Sequence, residues 1–216
     1  MTSIKDLIVV VADKSMMATV VGILGRPHAL GIRPIAFDVK VHMNYDSGVR
    51  VEGVSTIHTF RSEFSHALLL LDYEGCGADE NAAKRKFPAE LQDELAICLR
   101  QTWGEKSDVI VINPELDVWV WGGDNILREL LGWQETASIR DWLKAKGFEF
   151  GATGKPIRPK EAFDCVLRQC RQSHSASMYR KIAERISLSR CTDESFQRLS
   201  HVLQDWFPSV ERLERQ

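Results

Sequence analysis

The stretch His66-Ala67-Leu68-Leu69-Leu70-Leu71-Asp72-Tyr73-Glu74-Gly75-Cys76-Gly77 constrains the fold of this chain more than any other. From Ala67 to Leu71 no residue is suited to face water, the pattern of a strand covered on both faces in a parallel sheet. The run ends abruptly in two acids one residue apart, followed by glycines. Open parallel sheets bind ligands in the crevice outside the carboxyl ends of their strands, so these acids stand where a site is expected. Two carboxylates spaced i, i+2 at a strand end can converge on a hard cation that prefers oxygen ligands, such as Mg²⁺ or Mn²⁺.

Two further apolar runs have the same character. Leu7 to Ala12 is rich in β-branched residues and ends at Asp13-Lys14-Ser15; Asp108 to Ile112 ends at Asn113-Pro114-Glu115-Leu116-Asp117. Ile35 to His42 alternates apolar and polar residues, which predicts a more exposed or edge strand. Helices are expected between them, over Met16–Leu24 with Asp13 or Ser15 as cap, over Val51–Phe64, and over Pro88–Thr102 with Leu91, Leu95 and Leu99 on one face. Gly25-Arg26-Pro27-His28 reads as a break or a short helical continuation. Tyr45-Asp46-Ser47-Gly48 reads as a turn, and Val118-Trp119-Val120-Trp121 as a helix or short strand. The alternation of β and α implies a mostly parallel, Rossmannoid α/β sheet flanked by helices over residues 1–125. Beyond residue 125 the β-branched runs stop. Expected helices over 126–131, 138–146, 159–170, 176–186 and 193–206 make residues 126–216 a helical C-terminal extension packed on the sheet.

Three buried strands thus each end in acid: Asp13; Asp72 and Glu74; Glu115 and Asp117. In a parallel sheet all these ends lie at one edge. Carboxylates crowded together repel and raise one another's pKa, a cost that a bound metal ion removes. The five acids are therefore candidate metal ligands.

The order of these acids resembles a TOPRIM domain, the metal-binding module of topoisomerases, primases and related nucleases, in which an acid follows the first strand and a paired-acid motif follows a later one. Asp13 and Asp72-Tyr73-Glu74 stand in those places. The chain is more closely similar to a family of bacterial TOPRIM-like proteins that carry an acid-x-Trp motif after the next strand, comparable to Asp117-Val118-Trp119, and a helical tail like Ser175–Leu203. The resemblance spans residues 5–125 and extends to a protein of a methylation-associated anti-phage defence system. It implies a Mg²⁺- or Mn²⁺-dependent phosphodiesterase or nuclease, with Asp13, Lys14, Asp72 and Glu74 in catalysis, and with other defence proteins as partners. Two departures stand out: Asp13-Lys14 replaces a Glu-Gly motif, and Glu74 replaces an aspartate. The alternative implied is a non-catalytic interaction subunit of a multi-protein complex.

A net charge of −2 excludes a uniformly basic polyanion binder and leaves room for a local groove. Lys155, Arg158, Lys160, Arg180 and Lys181 are the candidates for nucleic-acid contact, with Lys14 as a further phosphate contact. The five cysteines form no CxxC pair and read as free thiols, Cys98 and Cys165 as small core residues. No apolar stretch approaches the ~20 residues of a membrane span. With no leader ahead of the first strand, the expectation is a cytoplasmic protein that does not enter a membrane, with homo-oligomerisation open. Gly151-Ala152-Thr153-Gly154-Lys155-Pro156 lacks the spacing and the hydroxyl residue of a phosphate-binding loop.

Overall fold

The structure, a computed structural model, describes residues 4–79 and 85–209. Four strands, β1 (Lys5–Val11), β2 (Phe37–Val41), β3 (Phe64–Asp72) and β4 (Ser107–Ile112), form one all-parallel sheet in the order β2-β1-β3-β4. It is the helix-flanked parallel α/β sheet that the alternation of apolar runs implies. The three continuous runs occupy its interior: every residue of β1 from Leu7 to Val11 and of β3 from Ala67 to Leu71 is fully buried. The alternating segment is the edge strand β2, half-buried and then exposed along its length.

Nine α-helices among the described residues complete the chain. They are α1 (Lys14–Leu24), α2 (Pro27–Leu30), α3 (Tyr45–His58), α4 (Pro88–Trp103), α5 (Asp124–Leu131), α6 (Ile139–Ala145), α7 (Pro159–Gln169), α8 (Ala176–Ala183) and α9 (Glu194–Trp206). The caps follow from the sequence: Asp13, Ser138, Ser175 and Asp193 each accept a backbone N–H two or three residues into the helix that follows. His66 stacks near Trp206 of α9, while Leu69 lies against Gly53 of α3. Side chains alternate across a strand, so even-numbered residues of β3, Asp72 included, face the α9 side.

Three expectations are corrected. Tyr45–Gly48 is the first turn of α3. Gly48 belongs there because the ring of the buried His42 occupies its missing side-chain position: a Cβ would stand 2.3 Å from His42 Nδ1. The helix stops at His58, and Phe64 opens β3. Cys98 lies on the exposed face of α4, because the buried stripe is Leu91, Leu95, Ala96, Leu99 and Trp103. The segment left between helix and strand, Leu116–Gly122, is a 3₁₀ stretch. It buries Trp119, whose Nε1 donates to Asp193 Oδ1 (3.1 Å) and Ser195 Oγ (2.9 Å) at the start of α9.

The C-terminal helices lock onto the sheet layer through α1. Arg26 donates to the carbonyls of Ala183 and Ile186 (2.8 Å each). A Cβ on Gly22 would meet the Ala183 methyl at 2.9 Å and the Arg180 carbonyl at 3.1 Å. Helix propensity alone makes Gly22→Ala stabilising by ~1 kcal/mol; this packing makes it destabilising by about 1–3 kcal/mol, since rigid backbone and a helix must move apart. Thermal unfolding of the variant reads the sign directly.

Candidate functional site at the carboxyl edge of the sheet

The chain begins in β1 at the middle of the sheet, moves out to β2, and returns to β3 on the other side. The strand order therefore reverses between β1 and β3, and the crevice at such a switch point is the general ligand position of open α/β sheets. The β1–β3 register pairs Val9 with Leu68 and Val10 with Leu69. Asp13 stands two residues past the end of β1 and Asp72 ends β3, on the two sides of the switch point. On the far side, Asp72 pairs with Ile112 of β4, three residues before Glu115.

Asp72 is the centre of the arrangement. Its Oδ1 is buried with no hydrogen-bond partner among the described residues. Burial raises its pKa well above the usual carboxylate range. Asp46 pushes further in the same direction, as do Glu115 and Asp117, against the opposing backbone N–H of Leu116. The residue as a whole keeps some exposed surface.

Asp46 has no counterpart among the sequence-derived candidates. It lies in the first turn of α3, where an acid complements the helix dipole. Its Oδ1 accepts the backbone N–H of Asp72 at 2.7 Å. Burial raises its pKa, and Asp13 adds to the rise. Its neighbour Tyr45 holds φ at 52°, left-handed backbone uncommon in non-glycine residues and frequent beside functional sites.

The 3₁₀ stretch brings in Glu115 and Asp117, both buried. Glu115 accepts the backbone N–H of Lys160 (3.3 Å) and faces its ammonium (Oε2–Nζ 3.5 Å). Burial and Asp117 nevertheless push the Glu115 carboxyl up to about 7. Asp117 accepts from the Tyr179 hydroxyl at 2.6 Å. With that proton committed, the Tyr179 oxygen accepts from Nε2 of His174, also at 2.6 Å. Burial raises the pKa of Asp117 against the tyrosine bond and the nearby His174. The ammonium of Lys160 is held above its ordinary pKa: burial opposes this, and Glu115, Asp117 and Asp72 outweigh it.

Placed against the sequence-derived candidates, Asp72, Glu115 and Asp117 are brought together, and Asp13 lies within electrostatic reach of Asp46. Oδ1 of Asp13 caps α1 by accepting from Met16 N (2.7 Å). Glu74 is exposed, raises the pKa of Glu115, and is held through its backbone N–H by the Pro114 carbonyl (2.9 Å). Lys14 is exposed at the first residue of α1. Among the basic candidates, Lys155 is corrected: it is buried, with its ammonium 3.5 Å from Asp193, so it has no face to offer a phosphate. Arg158 and Arg180 are exposed and paired with Glu161 and Glu184, and Lys181 is exposed. Lys160 is turned toward the acid cluster. Asp46, Tyr179 and His174 complete the set, and only position in the fold identifies them.

The donor set fits a hard divalent cation in its chemistry: carboxylate oxygens only, one of them without a partner among the described residues, and acids whose pKa burial raises. In the present arrangement no three carboxylate, imidazole or thiol groups among the described residues stand as a ready ligand group. Compared with known proteins, the chain matches no family model, no curated protein and no solved structure.

The raised pKa of Glu115 fixes a sign. Between its ordinary value of 4.5 and about 7 the folded chain holds a proton that the unfolded chain releases, so stability falls as pH rises through that window. Glu115→Gln removes this penalty. Above pH 7 the variant is expected to be more stable than the parent, by at most ~3–4 kcal/mol at 1.36 kcal/mol per pKa unit, and the gap closes toward pH 4.5. Denaturant titration at several pH values checks it.

Proposed function

We propose that the chain acts on phosphodiesters of nucleic acid at the carboxyl edge of its sheet, as a Mg²⁺- or Mn²⁺-dependent nuclease within a bacterial anti-phage defence system. The observation that carries the reading is the bare, buried Oδ1 of Asp72 among Asp46, Glu115 and Asp117. The acid order that resembles a TOPRIM module supports the choice of reaction. Asp72 and Asp46 would hold the ion, with Asp13 at the start of α1 beyond the neighbouring strand. When bound, it would supply the positive charge the cluster lacks and lower the pKa of a water beside a phosphorus atom.

The chain's own groups divide the remaining work. Tyr179 and His174 fix the orientation of Asp117 through two short hydrogen bonds. Lys160, its side chain 53% exposed and its charge held by three acids, is placed to meet a phosphate oxygen as a point charge. Lys14 offers a second ammonium beside Asp13. The switch-point crevice between β1 and β3 orients the substrate over these groups.

One observation favours the second reading, a non-catalytic subunit of a larger complex: Lys160 already places a cation against Glu115 without any metal. Cleavage distinguishes the two. Labelled single- and double-stranded DNA and RNA, incubated with the chain and Mg²⁺ or Mn²⁺, are expected to be cut, with cutting abolished by a chelator. Asp72→Asn is expected to lower the rate by more than the ~10–100-fold that loss of an outer-shell partner costs. Intact substrate with both ions on all four nucleic acids contradicts the nuclease reading.

A further inference from the structure

The two edges of the sheet are finished differently. At the β4 edge the outward backbone N–H groups are taken by side chains, that of Val109 by Asp108 Oδ1 (2.9 Å) and that of Val111 by Gln92 Oε1 (3.2 Å). Such cover blunts an edge against pairing with another chain. The β2 edge has none. Leu7 N donates to the Ala36 carbonyl and His42 N to the Val11 carbonyl, which fixes the phase of the β1–β2 ladder. Even-numbered residues of β2 therefore bond β1, and the N–H and C=O groups of Phe37, Val39 and Val41 point outward. Among the described residues nothing bonds them.

We propose that β2 pairs antiparallel with β2 of a second copy of this chain about a twofold axis at Val39, so that two four-stranded sheets become one. The charges of the strand select both the partner and the register. Asp38-Val39-Lys40 read against itself in the opposite direction sets Asp38 of each copy across from Lys40 of the other. Opposite charges directly across an antiparallel pair are favourable and like charges are not. The two neighbouring registers that keep the outward groups bonded place Asp38 against Asp38 or Lys40 against Lys40, so repulsion disfavours both. Asp38 already holds Lys5 Nζ at 2.8 Å within its own chain; in the pair its carboxylate lies between two ammonium groups.

The apolar residues agree. Phe37 faces Val41 of the second copy on the other side of the sheet, and Met43, 85% exposed in the single chain, comes across from Ile35. Isologous pairing of this kind closes on itself and does not propagate into a fibre. The proposal is independent of the chemistry at the carboxyl edge.

Sedimentation equilibrium of the full chain, at its highest soluble concentration, tests it with three variants. The parent is expected at twice the chain mass. Val39→Pro removes one outward N–H and no bond to β1, a position where an edge strand tolerates proline; it is expected to keep the parent's circular dichroism and thermal transition while its mass falls twofold. Lys40→Glu and Asp38→Lys each place like charges across the pair, and each is expected to be monomeric alone. Mixed in equal amounts, they match acid to base at both positions and are expected to recover the doubled mass. A parent that sediments as a monomer overturns the proposal and leaves the edge to a strand of another protein. A dimer unmoved by Val39→Pro and Lys40→Glu overturns it too, by placing the interface elsewhere.

Discussion

A carboxylate at the end of a strand buried on both faces has nowhere to go. β3 holds five consecutive residues out of water, so the direction of the Asp72 side chain is set by the pleat and not by its own solvation. One oxygen ends up buried without a partner among the described residues, and the surrounding groups are arranged about it. Asp46 accepts the backbone N–H of the same residue, Leu116 turns its N–H toward it, and Lys160 comes from the C-terminal helices to lower the local negative charge. Burial is the largest cause that raises the pKa of Asp46, Asp72, Glu115 and Asp117, and a neighbouring acid adds to the rise at each.

The C-terminal half is therefore more than cover for the sheet. Glu115 and Asp117 are held on a 3₁₀ stretch whose buried Trp119 is anchored at the start of α9. Tyr179 on α8 positions Asp117. The close approach of α8 to α1 at Gly22, and the bonds from Arg26 to its carbonyls, set where that tyrosine stands. Packing far from the acids thus decides their geometry.

Much of this was legible in the sequence, for identifiable reasons. Runs such as Leu7–Val11 and Ala67–Leu71 are typical of buried strands, and an acid after each locates one edge of the sheet. The spacing of Leu91, Leu95 and Leu99 shows which side of α4 is buried. Asp46 was hidden because Tyr-Asp-Ser-Gly has turn composition, and the glycine answers to the His42 ring packed against it, a contact that the sequence does not display. Tyr179 and His174 lie some sixty residues beyond Asp117, with no local pattern to join them. Lys155 stands in the sequence among the basic candidates for nucleic-acid contact. Its burial depends on Asp193, a helix cap 38 residues away that no periodicity connects to it.

The central proposal is that Asp72 and its neighbours, whose pKa values burial raises, hold a divalent cation. Calorimetric titration with Mn²⁺ near pH 7, repeated in two buffers of different ionisation enthalpy, tests it most directly. Metal binding that requires deprotonated ligands releases protons, so the account predicts binding with a buffer-dependent heat in the parent and none in Asp72→Asn. Absence of binding, or binding that releases no protons and survives Asp72→Asn, would contradict it.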